Sequence, residues 1–260
     1  MTSTQSSEKR LTDEQLVELL QVIKKADSVE LKLTVPDSSR RSAAAALDLD
    51  PLNAQIRQVI FFDTLDLSLN KAGVVVRARR IQGKGGDSTV KLRPVVPDEL
   101  PPEVRKSPAF GVEVDALPGG FVCSGTMKGV ADSMAIRETA AGARPIRKLF
   151  TKEQRAFYGD HAPDGIELDD LVVLGPINVF KLKFAPKEFR PMVAELWNYP
   201  DGSRILELST KCLPSQAFEV AAEARAFLSG KGIDLSAEQA TKTATALDFF
   251  VNEAREEAAG

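Results

Sequence analysis

The sequence predicts an α+β protein: an antiparallel β-sheet of about eight strands that curls into a closed barrel, with flanking helices and a helical extension at the C-terminal end. Three observations predict it. Between Ser28 and Lys211 the apolar pattern repeats every second residue over several short runs. Helical periodicity brackets these runs, at Leu11 to Ala26 and again after Pro214, and eight or so strands are about as many as an open sheet holds before it closes. Finally, one face of strand after strand carries two like charges.

Composition narrows the class. The 260 residues are 43% hydrophobic and 27% charged, enough apolar material for a core. Lys and Arg number 34 against 37 Asp and Glu, a net charge of -3, which argues against binding nucleic acid through a broad basic face. No stretch approaches the roughly 18 apolar residues of a membrane helix, and Met1 to Arg10 lacks the apolar core of a secretion signal, so a cytoplasmic protein with no membrane partner is expected. Cys123 and Cys212 have no metal-like spacing and read as buried thiols. With His161 the only histidine, any metal is held by oxygen.

Each element has its own signal. Thr12 and Gln15 form a capping box for a helix at Leu11 to Ala26, Leu11 can staple against Leu16, and Leu16, Leu19, Leu20 and Ile23 make its apolar stripe. At Ser28 the period switches to two: Val29, Leu31, Leu33 and Val35 face one way, Glu30, Lys32 and Thr34 the other. A short helix at Ser39 to Leu47 follows, then strands at Gln58 to Asp63, Gly73 to Arg80, Thr89 to Arg93 and Gly111 to Asp115. Gly83 to Gly86 leads into a strand and so reads as a hairpin loop, not a phosphate cradle. The Pro-rich segment Pro94 to Pro108 is loop with one helical turn at Pro102 to Lys106, and Asp132 or Ser133 caps a helix to Ala140. Further strands are expected at Ile146 to Tyr158, Ile166 to Leu174, Asn178 to Ala185, Val193 to Tyr199 and Arg204 to Lys211, the last two joined by the turn Pro200-Asp201-Gly202-Ser203. Helices at Ser215 to Leu228 and Ser236 to Glu257 close the chain, the latter with Ala240, Thr243, Ala244, Leu247 and Phe250 on one side. The expected organisation is a tail and helix over 1–27, a barrel domain over 28–213 with an added hairpin at 193–211, and C-terminal helices over 214–260 packed on the same domain.

The charged strand faces admit two readings. An antiparallel sheet commonly has one solvated face. Against this, Arg77/Arg79, Lys91/Arg93, Glu113/Asp115 and Lys181/Lys183 set like charges side by side, which repel unless counter-ions or ligands lie between them. Turned into a closed barrel, these faces make a basic cluster and a carboxylate cluster, the pair of surroundings that a polyanion and a divalent cation require.

These residues resemble the CYTH domain of the triphosphate tunnel metalloenzymes, a group including inorganic triphosphatases, thiamine triphosphatase and certain adenylate cyclases; the chain reads as a divergent bacterial member. Ser28-Val29-Glu30-Leu31-Lys32 matches the family's opening Glu-x-Glu-x-Lys except at Ser28. Phe61-Phe62-Asp63-Thr64-Leu65-Asp66, followed by Arg77-Ala78-Arg79, is similar to its aromatic-aromatic-Asp-Thr-x-Asp and Arg-x-Arg block. Thr89-Val90-Lys91-Leu92, Glu113-Val114-Asp115 and Lys152-Glu153-Gln154-Arg155 fit later strands, and Asp169 or Asp170 fits a metal-side Asp. Where the family has a second Glu-x-Glu, this chain has Lys181-Leu182-Lys183, and Glu207 is a candidate substitute acid.

The resemblance implies metal-dependent hydrolysis of an inorganic or organic triphosphate inside a charged tunnel. Lys32, Arg77, Arg79, Lys91 and Arg155 would be catalytic; these residues together with Arg93, Lys181 and Lys183 would bind substrate. Glu30, Glu113, Asp115 and Asp169 would hold Mg²⁺ or Mn²⁺. The partner is a small-molecule triphosphate or polyphosphate, and oligomeric state is left open. Two alternatives stand: a non-catalytic phosphate- or polyphosphate-binding module, and an adenylate cyclase, for which no adenine-recognising residues are found. Asp63 is expected to fix a loop, and Trp197 to be a core or rim aromatic.

Overall fold

The computed structural model describes residues 12–235 and 242–259. In chain order the elements are α1 (Asp13–Lys25), β1 (Ser28–Val35), α2 (Arg40–Ala46), β2 (Gln55–Asp63), α3 (Ser68–Lys71), β3 (Val74–Ile81), β4 (Gly86–Leu92), α4 (Pro102–Lys106), β5 (Phe110–Leu117), β6 (Gly120–Ala131), α5 (Ser133–Ala140), α6 (Lys152–Gly159), β7 (Val172–Phe184), β8 (Met192–Asn198), β9 (Arg204–Cys212), α7 (Ala217–Gly230) and α8 (Lys242–Ala259). The strands close into one barrel in the order β1-β5-β6-β4-β3-β2-β7-β8-β9.

Alternation along each strand sorts the side chains. Val74, Val76 and Ala78 of β3 point outward, where they join Ile60, Phe62, Val90 and Met127 under Ile136 of α5 and Phe157 and Tyr158 of α6. Outside β1 and β5, Val29, Val112 and Val114 pack with Leu19 and Ile23 of α1 and Val220 of α7. Leu33, Leu206 and Leu208 meet Ala43 of α2 and Leu228 of α7. Helices therefore cover the apolar outer faces, and the alternate, charged positions are left to face inward. The capping box of Thr12 and Gln15 starts α1 as expected, and Asp132 caps α5 by accepting the N–H groups of Met134 and Ala135. The proposed staple from Leu11 and the stripe position Ala240 lie outside the described residues.

Four expectations are corrected. The barrel has nine strands and is mixed, because β1 runs parallel to β5, with Ser28 opposite Glu113 and Glu30 opposite Asp115. β6 is a twelve-residue strand where none was expected; three glycines and several polar residues mask its alternation, and Gly129 is needed there because a Cβ would lie 2.5 Å from Gln154 Oε1. Ile146 to Tyr158 is not a strand but a 3₁₀ turn (Ile146–Leu149) and α6, started by a Thr151/Gln154 capping box. The buried Gln154 side chain then donates to the carbonyls of Ser88 and Met127, tying α6 to the barrel. The two strands expected between Ile166 and Ala185 are one, β7, which begins only at Val172 after a 3₁₀ turn at Leu168–Asp170.

Asp63 fixes a loop, accepting the backbone N–H groups of Thr64, Leu69 and Asn70. Both cysteines are buried and free, and His161 Nδ1 lies 2.8 Å from the Phe157 carbonyl. Among the described residues, no helix is long and apolar enough to cross a membrane.

Candidate active site inside the barrel

The inward faces enclose a cavity of about 410 Å³. Among the described residues its lining holds ten cationic side chains, Lys32, Arg57, Arg77, Arg79, Lys91, Arg93, Lys128, Lys181, Lys211 and Lys242, against six carboxylates, Asp27, Glu30, Glu113, Asp115, Glu195 and Glu207. The surplus is positive although the whole chain carries -3.

The first cluster centres on Asp115 of β5, whose side chain is 1% exposed. Its carboxylate lies 2.7 Å from Lys32 Nζ, 3.6 Å from Lys91 Nζ and 3.9 Å from Arg93. Burial alone would raise the Asp115 carboxyl, but Lys32 and Lys91 hold it down to about 2. Glu30 stands 3.2 Å from Lys32; burial opposes its charge, and Lys32 and Lys211 keep it below the ordinary carboxylate value. Lys211 of β9 also pairs with Glu113, which accepts a hydrogen bond from Ser28 Oγ at 3.3 Å. Ser28 thus sits beside the carboxylates without supplying one. Burial lowers Lys91 to about 8 despite the nearby Asp115, whereas Asp115 and Glu30 outweigh burial at Lys32 and raise it.

Glu30, Glu113 and Asp115 each offer an oxygen within 4.8 Å of the others. Asp115 Oδ2 is buried and makes no hydrogen bond. A set of hard oxygen donors, one of them ion-paired to Lys91 and Arg93 but accepting no hydrogen bond, fits Mg²⁺ or Mn²⁺, which take carboxylates and keep several waters.

The second region is an arginine wall on β2 and β3. Arg77 projects inward opposite Phe61, its Nε is buried without a hydrogen-bond partner, and among the described residues no carboxylate lies within ion-pairing distance of it. Burial and the adjacent Arg79 push its guanidinium down to about 10. Arg79 is held by a forked contact to Asp87 at 2.8 Å, and Arg57 by Gln55 at 2.7 Å.

The third region lies on β7, β8 and α8. Glu195 and Glu207 are directly opposite on neighbouring strands. Lys181 lies 3.0 Å from Glu195, while Lys242 of α8 reaches in to Glu195 at 2.8 Å and Glu207 at 2.6 Å, 4.9 Å from the centre of the Trp197 ring. Burial opposes the Glu195 charge, but Lys242 and Lys181 hold its carboxyl far below the ordinary range. Behind them Ala246, Leu247, Phe250 and Val251 of α8 pack on the inward-facing Val59, Val179 and Trp197, so that α8 closes this end of the barrel.

Of the residues singled out from the sequence, the cavity brings together Glu30, Lys32, Arg77, Arg79, Lys91, Arg93, Glu113, Asp115 and Lys181. Three stay out. Arg155 lies on the exposed side of α6 with its guanidinium on the Phe150 carbonyl, because its segment is a helix outside the barrel. Asp169 is taken up by the backbone N–H and guanidinium of Arg147, outside the tunnel. Lys183, two residues beyond Lys181, is exposed past the cavity lining. Six charged cavity residues have no counterpart among the sequence candidates: Asp27, Arg57, Lys128, Glu195, Lys211 and Lys242. Glu207, the candidate substitute acid, is buried in the tunnel rather than exposed, and Trp197 faces inward.

A closed barrel whose inner surface is a segregated array of cations and carboxylates is the CYTH-type, triphosphate-tunnel fold, and this chain has it. Solved structures bear this out. An adenylyl cyclase candidate from Hippeastrum with a dominant triphosphatase activity is similar at a TM-score of 0.62 and 19% identity, over 83% of this chain and 92% of that one. An adenylate cyclase candidate from Bacillus halodurans gives a TM-score of 0.57 at 13% identity, over 83% and 96%. No family model and no curated protein matches the chain.

Proposed function

We propose that the protein is a triphosphatase that hydrolyses a triphosphate inside the tunnel with Mg²⁺ or Mn²⁺. The observation that carries this reading is Arg77, whose buried Nε has no hydrogen-bond partner and which has no carboxylate at ion-pairing distance among the described residues, in the same cavity as a carboxylate cluster. A buried cation without a counter-ion is costly unless an anion arrives to meet it, and the planar donors of Arg suit phosphate oxygens.

In this mechanism Arg57, Arg77 and Arg79 grip one end of the polyanion, while Lys32, Lys91 and Arg93 neutralise the phosphates nearest Asp115. Glu30, Glu113 and Asp115 would hold the metal, which supplies charge neutralisation on the transferring phosphoryl group. Binding in this array aligns the terminal phosphorus for in-line attack by water. The water oxygen bonds to that phosphorus, the bridging P–O bond breaks with diphosphate as the leaving group, the water's protons pass to phosphate oxygens or solvent, and orthophosphate and diphosphate are the products. No cysteine or histidine lines the cavity, so no thiol or imidazole nucleophile is invoked. The likeness to a Hippeastrum protein with triphosphatase activity supports the same chemistry.

Phosphate release from tripolyphosphate, with and without Mg²⁺ or Mn²⁺, tests the reading: metal-dependent release is expected. Tight binding with no turnover under any divalent metal would favour the second reading, a phosphate-binding module. That reading draws on the lysines already seated on the carboxylates, Lys32 on Glu30 and Asp115 and Lys211 on Glu113.

A further inference from the structure

The end of the tunnel closed by α8 carries its own cation. Glu195 and Glu207 face each other across β8 and β9 on the inner wall, a pairing that repels unless a positive charge sits between the two. Lys242 supplies that charge through two short, charge-assisted contacts, at 2.8 and 2.6 Å. Lys181 serves Glu195 alone, so among the described residues Lys242 is the one cation within ion-pairing distance of Glu207. α8 is also held by apolar contacts through Leu247, Phe250 and Val251 and by a hydrogen bond from the Tyr199 hydroxyl to the Lys242 carbonyl at 3.2 Å.

We propose that the Lys242 contact is a latch that excludes a divalent cation from the Glu195–Glu207 pair. Cation and ammonium need the same oxygens. When the cation takes the carboxylates, Lys242 is released toward the anion in the tunnel, and α8 loosens at its tunnel end. Free cation breaks one side of the latch and free triphosphate the other, so a metal–triphosphate complex exchanges both partners at once. The identity of the cation, Mg²⁺ or Mn²⁺, rests on the function proposed above.

The probe is Mn²⁺ without any phosphate, followed by calorimetry and by amide hydrogen exchange over residues 242–251. In the wild type, saturating Mn²⁺ is expected to speed exchange in this segment. Lys242→Gln should bind Mn²⁺ about tenfold more tightly, having lost a competitor held by charge-assisted bonds, with exchange already fast and no further response to the metal. Lys242→Arg should behave as wild type. Glu207→Gln, which leaves Glu195 paired with Lys181, should speed exchange in α8 without metal, and it serves if Lys242→Gln does not fold. Exchange in wild-type α8 that ignores Mn²⁺, equal or weaker Mn²⁺ affinity in Lys242→Gln, or unchanged exchange in Glu207→Gln overturns the latch. None of these readings uses turnover, so a latch that responds in a protein releasing no phosphate sinks the hydrolase reading alone.

Discussion

Asp115 and Arg77 both project into one tunnel, and the chain treats them in opposite ways. Asp115 has three cations within 4 Å, and its carboxyl is held at about 2. Arg77 has a buried Nε with no partner and a guanidinium lowered to about 10 by burial and Arg79, which outweigh the more distant Asp87 and Glu195. The Asp115 charge is met by cations of the fold itself; the Arg77 wall has no such partner at ion-pairing distance among the described residues. On the proposed function, the desolvation cost kept at Arg77 would be recovered on binding an anion, which is how a binding site differs from a structural ion pair of similar composition.

This contrast can be broken from either side. The largest effect is expected at the Asp115 cluster: Asp115→Ala leaves Lys32, Lys91 and Arg93 without their shared counter-ion, and urea unfolding should show a loss of about 3 kcal/mol, together with loss of Mn²⁺ binding. Arg77→Ala should do the reverse. It orphans no carboxylate, so the urea midpoint should hold or rise, while kcat/KM for tripolyphosphate falls by about 10² to 10³. Tripolyphosphate binding as tight as wild type in that variant would remove the basis for an inward-facing anion site.

A smaller effect is expected from pH. Because Lys91 is lowered to about 8, it is charged in both folded and unfolded chains below that pH, and the fold bears the desolvation cost. Between about 8 and the ordinary lysine value of 10.5 the unfolded chain binds more protons, so this group's contribution to stability rises with pH. Metal-free tripolyphosphate affinity should instead fall above pH 8 as the ammonium is lost, and Lys91→Arg should move that fall to higher pH. Smallest of all, Arg155→Ala and Asp169→Asn should leave kcat/KM within about twofold, Asp169→Asn costing no more than about 1 kcal/mol for its pair with Arg147; a tenfold loss of turnover in either would return that residue to the site.

The inner faces of β3, β4 and β5 were legible because a period of two with like charges at i and i+2 is hard to satisfy anywhere but around a shared ligand or counter-ion; β1 was legible from its alternation alone. Arg155 misled for the opposite reason: family-like spacing outweighed Thr151-x-x-Gln154, the same capping box that identified α1 at Thr12 and Gln15. Asp169 looked free in sequence, and only the tertiary fold brings Arg147 to it. Glu195 and Lys242 carried no local signal, one being a single acid in a short strand and the other a lysine on a helix. Their roles arise from cross-strand register and from where α8 docks, neither of which a linear pattern encodes. The parallel β1–β5 pairing is invisible for the same reason.

That pairing also orders events in time. β1, the first strand of the sheet, finds one neighbour 85 residues later, at Ser28 with Glu113, and the other 183 residues later, at Val29 with Cys212. Until β9 has been synthesised, β1 keeps an open edge, and closing contacts of such separation are slow to form. Glu30 and Lys32 therefore meet Lys211 only at the step that shuts the barrel. A growing chain has no finished cationic chamber, and the tunnel lining is assembled only together with the completed fold.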